Sequence, residues 1–234
     1  MTDIELLKSE LEKINSYPPI FTKVQCEISG VGFFPGARGL WRKDDMQISN
    51  KPIMILGHDF GAERDYNLSI IRGNENMTAL TWKNLCKMLS FYGIEKEECF
   101  FTNAIMGVRR EGSAIGKSPA FDYPEYLSDC KSFLIKQIEI QKPKLILVLG
   151  LHLLGFMATV SVELSAISKI KSYKKLDQEK LSAFESISFV GVDGFKTNVV
   201  FLTHPTYRHL NIGNRRFGDF KSEQAELELI KQFR

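Results

Sequence analysis

The sequence predicts an α/β protein, a three-layer α/β/α sandwich around a mostly parallel, four-stranded central sheet. Three observations carry that prediction. Four apolar runs, 53–56, 99–102, 145–149 and 199–202, are each bounded by polar or turn residues, as strands buried on both faces are. Helical segments separate them, so strand and helix alternate, and parallel strands joined by right-handed crossovers follow. A chain of 234 residues that is 44% hydrophobic and 25% charged can bury the core such a sandwich needs within one domain.

Thr2-Asp3-Ile4-Glu5 has the spacing of a capping box, and Ile4, Leu7, Leu11 and Ile14 recur at helical period up to Pro18-Pro19, so a helix opens the chain. The stretch 29–50 is Gly-rich and irregular and carries Arg38, Arg42 and Lys43, which marks a long functional or mobile loop. Residues 1–50 therefore form a helix-and-loop extension to a single domain spanning 1–234. Helices are expected over 78–91, 123–141, 151–158 and 219–233. Residues 187–192 precede the last strand, and Asp193-Gly194 between them signals a two-residue hairpin, hence one antiparallel edge pair. The Ser/Lys-rich region 161–186 has no clear period.

Composition excludes several classes. A net charge of +3 is too small to imply a polyanion partner by itself. Cys26, Cys86, Cys99 and Cys130 form no C-x-x-C pair and the N-terminus has no apolar signal core, so reduced thiols in a cytoplasmic protein are expected. The longest apolar run, 145–157, is interrupted by Gly150, His152 and Gly155, short of the roughly 20 residues that span a bilayer. No membrane partner is expected, and the chain reads as a monomer.

In an open parallel sheet, ligands bind outside the carboxyl ends of the strands. The residues there are Gly57-His58-Asp59-Phe60-Gly61 after the first run, Asn103 after the second, Gly150 after the third and His204-Pro205-Thr206-Tyr207-Arg208 after the fourth. A carboxylate, an amide and an imidazole would converge on one crevice, a set suited to gripping a polar ring and stabilising charge on it.

At these residues the chain resembles the uracil-DNA glycosylase superfamily, over about 52–214. Gly57-His58-Asp59-Phe60-Gly61 is similar to the family's Gly-rich first motif, and His204-Pro205-Thr206 to its His-Pro-Ser, with Thr for Ser. Phe101-Thr102-Asn103-Ala104 looks like the strand end whose Asn reads the base, and 142–150 like the strand before the family's third helix. The resemblance implies a DNA glycosylase that hydrolyses the N-glycosidic bond of a flipped uracil or related deaminated base, in base excision repair. It makes Asp59 the carboxylate that positions water and stabilises the sugar cation, and His204 the donor to the base oxygen that gains negative charge. Gly57, His58, Phe60 and Asn103 would bind the base. Arg208 falls at the position that fills the vacated stack, with Tyr207 and Leu210 as the other candidates, and Arg215 and Arg216 join them in contacting DNA. The chemistry agrees: cleavage leaves positive charge on the sugar and negative charge on the base, and one fixed donor is worth roughly 2.7–4 kcal/mol in such a transition state. Extruding the base costs a few kcal/mol, which an inserted side chain would offset.

Departures from the family pattern bear on specificity. The stretch 66–82 offers Tyr66 and Trp82 as stacking rings, neither in register with the family, and Cys26 stands alone where some branches hold a cysteine pair for an iron-sulfur cluster. No cofactor and no metal are expected. Two other readings stay open: a base- or nucleotide-binding module of the same fold that does not cleave, and a metal-dependent nucleotide hydrolase built on His58, Asp59, Glu63 and His204. His152, set among Leu151, Leu153 and Leu154, reads as a structural residue near the core.

Overall fold

The computed structural model describes residues 3–24, 51–72, 75–110 and 116–234. The loop at 29–50 and Cys26 lie outside them. In chain order the elements are α1 (Asp3–Glu12), β1 (Phe21–Lys23), β2 (Ile53–Gly57), α2 (Glu63–Arg72), α3 (Leu80–Phe91), β3 (Cys99–Asn103), β4 (Gly107–Arg109), α4 (Pro124–Gln141), β5 (Leu145–Leu149), α5 (Leu154–Val160), α6 (Tyr173–Gln178), β6 (Ala183–Phe189), β7 (Val192–Leu202), α7 (Arg208–Asn211), β8 (Arg216–Phe217), β9 (Phe220–Lys221) and α8 (Ser222–Phe233).

The central sheet has five strands in the order β3-β2-β5-β7-β6. Four are parallel, and β6 adds an antiparallel edge on β7. The hairpin there does not turn at Asp193-Gly194. Phe189 pairs with Val192, so the two-residue turn is Val190-Gly191, with Gly191 at φ 76°. Asp193 and Gly194 fall inside β7, where the register slips between Phe189 and Ile187 and Gly194 takes φ 67°; the same residue type that suits a turn here relieves a bulge.

Alternation along each strand sends side chains to two cores. Met54, Leu56, Phe100, Ile146, Val148, Val199 and Phe201 pack on one face, with α1, α4 and α5. Ile53, Ile55, Cys99, Phe101, Leu145, Leu147, Leu149, Val200 and Leu202 pack on the other, with α3 and α8. Each such side chain, fully buried, contributes roughly 1.5–3 kcal/mol, so the sheet is the rigid part of the molecule. α4 shows how the layers are read from sequence. Pro124 opens it at N1, Tyr126, Cys130, Phe133, Leu134 and Ile138 recur every three or four residues on its buried side, and Lys142 at φ 44° closes it before Pro143.

The opening segment is part of this architecture. Leu7, Leu11, Ile14 and Phe21 belong to the first core, and β1 pairs antiparallel with β4. The region 161–186 also packs there: Leu164, Ile167, Ile170, Tyr173 and Leu176 are buried, which is why its exposed Ser and Lys residues conceal a structured segment. No helix among the described residues is long and apolar enough to cross a membrane.

Strand order fixes where a ligand can sit. The chain leaves β2 for β3 on one side and later returns to β5 on the other, so β2 flanks the switch point and the crevice opens at the carboxyl ends of β3, β2, β5 and β7.

Candidate active site

The turn after β2 is tied into place by its backbone. Ala104 N–H donates to the Gly57 carbonyl and Ile105 N–H to that of His58, each at 2.9 Å, while Arg109 N–H donates to Gly61, whose φ is 72°. Asp59 is held from both sides. Its Oδ1 accepts from the Gly61 N–H at 3.1 Å, and its Oδ2 takes Arg109 Nε at 2.8 Å and Nη2 at 2.7 Å. The two side chains are 5% and 4% exposed and both guanidinium nitrogens converge on Oδ2, so this is a buried, charge-assisted ion pair. The carboxylate is fixed in place, and a good part of its charge is already balanced.

His58 projects into a stack of rings. Its centroid lies 5.8 Å from Phe121 and 5.7 Å from His152, both at 25° to its plane, and its Nε2 accepts from the Ser118 N–H at 3.4 Å. Burial holds its pKa down at about 4, although the neighbouring Asp59 pulls the other way. His58 is neutral at physiological pH.

His204 closes the crevice from β7. Its Nδ1 accepts from the Thr206 N–H at 3.2 Å, so the neutral ring carries its proton on Nε2. Desolvation lowers its pKa to about 4, helped by His152. Thr206 Oγ1 lies 2.6 Å from Thr81 Oγ1, and Asn84 donates to the Pro205 carbonyl at 2.9 Å, anchoring this segment to α3. Gly150 has φ 101°, and a Cβ there would come within 3.3 Å of the His204 side chain. The positive φ and the close approach of the ring both favour glycine at this position.

Asn103 ends β3 opposite Gly57. It is 1% exposed, and its Nδ2 donates to nothing among the described residues. A buried amide donor without a partner costs roughly 1–3 kcal/mol, a penalty that a bound acceptor would remove.

Several expected positions turn out otherwise. Phe60 is turned into the first core and meets Tyr66 edge-on at 5.9 Å, so it does not face the crevice. Tyr66 is thereby used, and Trp82 is buried in the second core against Phe101, donating from Nε1 to Glu75. The ring beside His58 is Phe121. It follows β4, outside the stretch where the resemblance directs attention, and nothing in its local sequence marks it.

Arg208 does not fill a DNA stack. It is 8% exposed, its Nη1 bonds Glu226 and Thr203 Oγ1, and its guanidinium lies over the Tyr92 ring. Arg215 is wholly buried, donating to the Phe201 carbonyl at 2.8 Å and paired with Asp177 and Glu226 at 3.2 and 3.3 Å. Both follow a strand end in sequence, yet their charge is spent inside the protein. Tyr207 is half-buried against His204, Arg216 is exposed, and Leu210 stands 65% exposed on α7.

The leucines around His152 point to a structural role. His152 sits instead beside His58 in the crevice, with a lowered pKa, because the turn after Gly150 swings it there while Leu153 and Leu154 take the core. A helical period could not show this. Glu63 accepts from Thr22 Oγ1 at 2.8 Å, and no group of three His, Cys, Asp or Glu among the described residues could hold a metal ion.

The crevice thus combines an immobilised carboxylate, an unpartnered amide donor, a neutral imidazole with Nε2–H available, and stacked rings. No curated protein matches the chain. A family model, described as the Uracil DNA glycosylase superfamily, matches residues 44–231. That span holds β2, β3, β5 and β7 and every crevice residue, and the chain belongs to the uracil-DNA glycosylase superfamily.

Proposed function

We propose that this protein is a monomeric, cytoplasmic DNA glycosylase that hydrolyses the bond between deoxyribose and a flipped uracil or related deaminated base in DNA, the first step of base excision repair. Its superfamily suggests glycosylase-type chemistry on DNA bases. The observation that carries the finer reading is Nδ2 of Asn103, a buried donor with no partner among the described residues, beside the turn of His58 and Asp59. Uracil offers a ring carbonyl to such a donor.

The other parts have distinct tasks. Neutral His204 offers Nε2–H to the base oxygen that gains charge as the glycosidic bond stretches; a neutral donor avoids protonating the leaving base and needs no counter-ion. Asp59 is assigned the carboxylate's task of offsetting the positive charge that grows on the sugar. With Oδ2 paired and Oδ1 holding one N–H, the carboxylate retains acceptor capacity for a water. Arg109 is a positioning residue that fixes Asp59 and reduces its net field. The rings of Phe121, His58 and His152 supply a surface for the flipped base, and Leu210, exposed on the short helix after the His204 motif, takes the gap it leaves.

A second reading rests on the same ion pair. Because Arg109 already balances Asp59, the crevice suits a module that binds a deaminated base without cleaving it. The deciding test incubates wild type and Asp59→Ala with labelled oligonucleotides carrying one uracil, single-stranded, opposite guanine and opposite adenine, then cleaves abasic sites with alkali. Strand cleavage by wild type that falls by orders of magnitude in the variant supports the glycosylase. Uracil-dependent binding without cleavage in either protein supports the reader.

A further inference from the structure

A cavity of about 920 Å³ opens between α6, the start of β6, the β8–β9 hairpin and the last turn of α8. It shares no lining residue with the crevice. Its apolar walls are Phe217, Phe220, Phe233 and Leu229, with Phe220 44% exposed. Lys174, Lys180 and Arg216 supply positive charge at its edge. Neither lysine makes an ion pair among the described residues, and the one acid in the lining, Asp177, is engaged by Arg215, Ser182 and the Arg216 N–H. The cavity therefore carries unbalanced positive charge beside three aromatic rings, while the amides of Gln178, Asn214 and Gln232 stand ready to meet a polar edge.

Each feature narrows the ligand. Aromatic walls favour a flat ring, the cations an anion attached to it, and the amides a ring with hydrogen-bonding groups on its rim. An aliphatic acid would leave the amides facing hydrocarbon, and an apolar ligand would leave the cations without a counter-charge. We propose that this cavity is a second nucleotide-binding site, taking a base against Phe217 and Phe220 and its phosphate at Lys174, Lys180 and Arg216. The same chemistry is offered by a free nucleotide and by a nucleotide unit of a DNA strand. The site does not depend on catalysis in the crevice.

Calorimetric titration of the full chain with dTMP, dAMP and a five-nucleotide oligothymidylate tests the proposal, with wild type, the double variant Lys174→Glu/Lys180→Glu, Phe220→Ala, and Asn103→Ala as a crevice control. The expected result is saturable binding that weakens at least tenfold in the double variant and in Phe220→Ala, both keeping the wild-type melting temperature, and that persists in Asn103→Ala. Binding of mononucleotides identifies a free nucleotide as the source; binding of the oligonucleotide alone identifies a strand. No binding up to millimolar concentration overturns the proposal, and so does binding that only Asn103→Ala abolishes. Saturable binding of an acidic peptide or of decanoate where nucleotides fail would also overturn it. Loss of glycosylase activity in the crevice would leave these titrations unchanged, so the two readings fail separately.

Discussion

Two polar clusters follow the same end of the sheet, and they are built in opposite ways. In the cluster of Arg208, Arg215, Glu226 and Asp177, each guanidinium faces a carboxylate within the protein, and Glu226 Oε2 also accepts from the Tyr92 hydroxyl. In the crevice, neither Asn103 Nδ2 nor His204 Nε2 has a hydrogen-bond partner among the described residues, and the His204 ring accepts its one bond at Nδ1. The first cluster uses its charge to hold the chain after β7 to α8, even though Arg208 Nη2 and Arg215 Nε and Nη2 make no hydrogen bond among the described residues. The second leaves hydrogen-bonding capacity for something that arrives. What separates them is that the first cluster's guanidiniums are each paired with a buried carboxylate.

The largest effect expected from this contrast is on stability. Glu226→Gln leaves Arg208 and Arg215 buried without their shared counter-charge and should cost about 3–5 kcal/mol, read from urea unfolding. Asn103→Ala should leave stability within about 1 kcal/mol of wild type, because its Nδ2 has no partner among the described residues to lose. A similar loss in both variants would erase the distinction. On activity the order reverses. His204→Ala should lower single-turnover base release by roughly 10²–10³-fold, as loss of one transition-state donor does, with a fold that still melts cooperatively.

Protonation sharpens the comparison. His58 and His204, held at about 4 against an ordinary 6.5, bind fewer protons than the unfolded chain between those values, so the stability they confer is complete above pH 6.5 and lost as pH falls toward 4. Glu75 works the other way: burial pushes it up to about 8, so it gains stability as pH falls through the same range. Moving from pH 7 to pH 5 should therefore destabilise Glu75→Gln by roughly 2 kcal/mol more than wild type. Activity should persist down to about pH 5, since His204 stays neutral there; an acid limb centred on 6.5 would contradict its assigned state. The smallest effect expected is from Leu210→Ala, about tenfold on duplex substrate and less on single strands, with an unchanged melting temperature.

How far the sequence discloses this molecule depends on the element. The four parallel runs were legible because strands buried on both faces need unbroken apolar stretches, and the strand-end rule then pointed to Asp59, Asn103 and His204. Four kinds of feature were not legible. The pairing of Asp59 with Arg109 joins residues far apart in the chain, as does the approach of His58 to Phe121 and His152. The burial of Arg208 and Arg215 depends on Glu226 in the last helix, which no local pattern connects to them. Phe60 reads as a crevice residue from its motif and packs in the core because the turn reverses at Gly61. The turn at Val190-Gly191 was overlooked because Asp193-Gly194 is the stronger local signal, and only cross-strand pairing decides between them.

The role of the crevice in holding a base rests on hydrogen-bonding capacity at Asn103 Nδ2 and His204 Nε2. It is tested most directly by single-turnover release of uracil from a labelled duplex by wild type and Asn103→Ala, with unfolding free energy measured on the same samples. Release by wild type, a loss of at least tenfold in the variant, and nearly equal stabilities are expected. Equal release by both proteins, or a variant that loses activity only because it unfolds, would contradict that role.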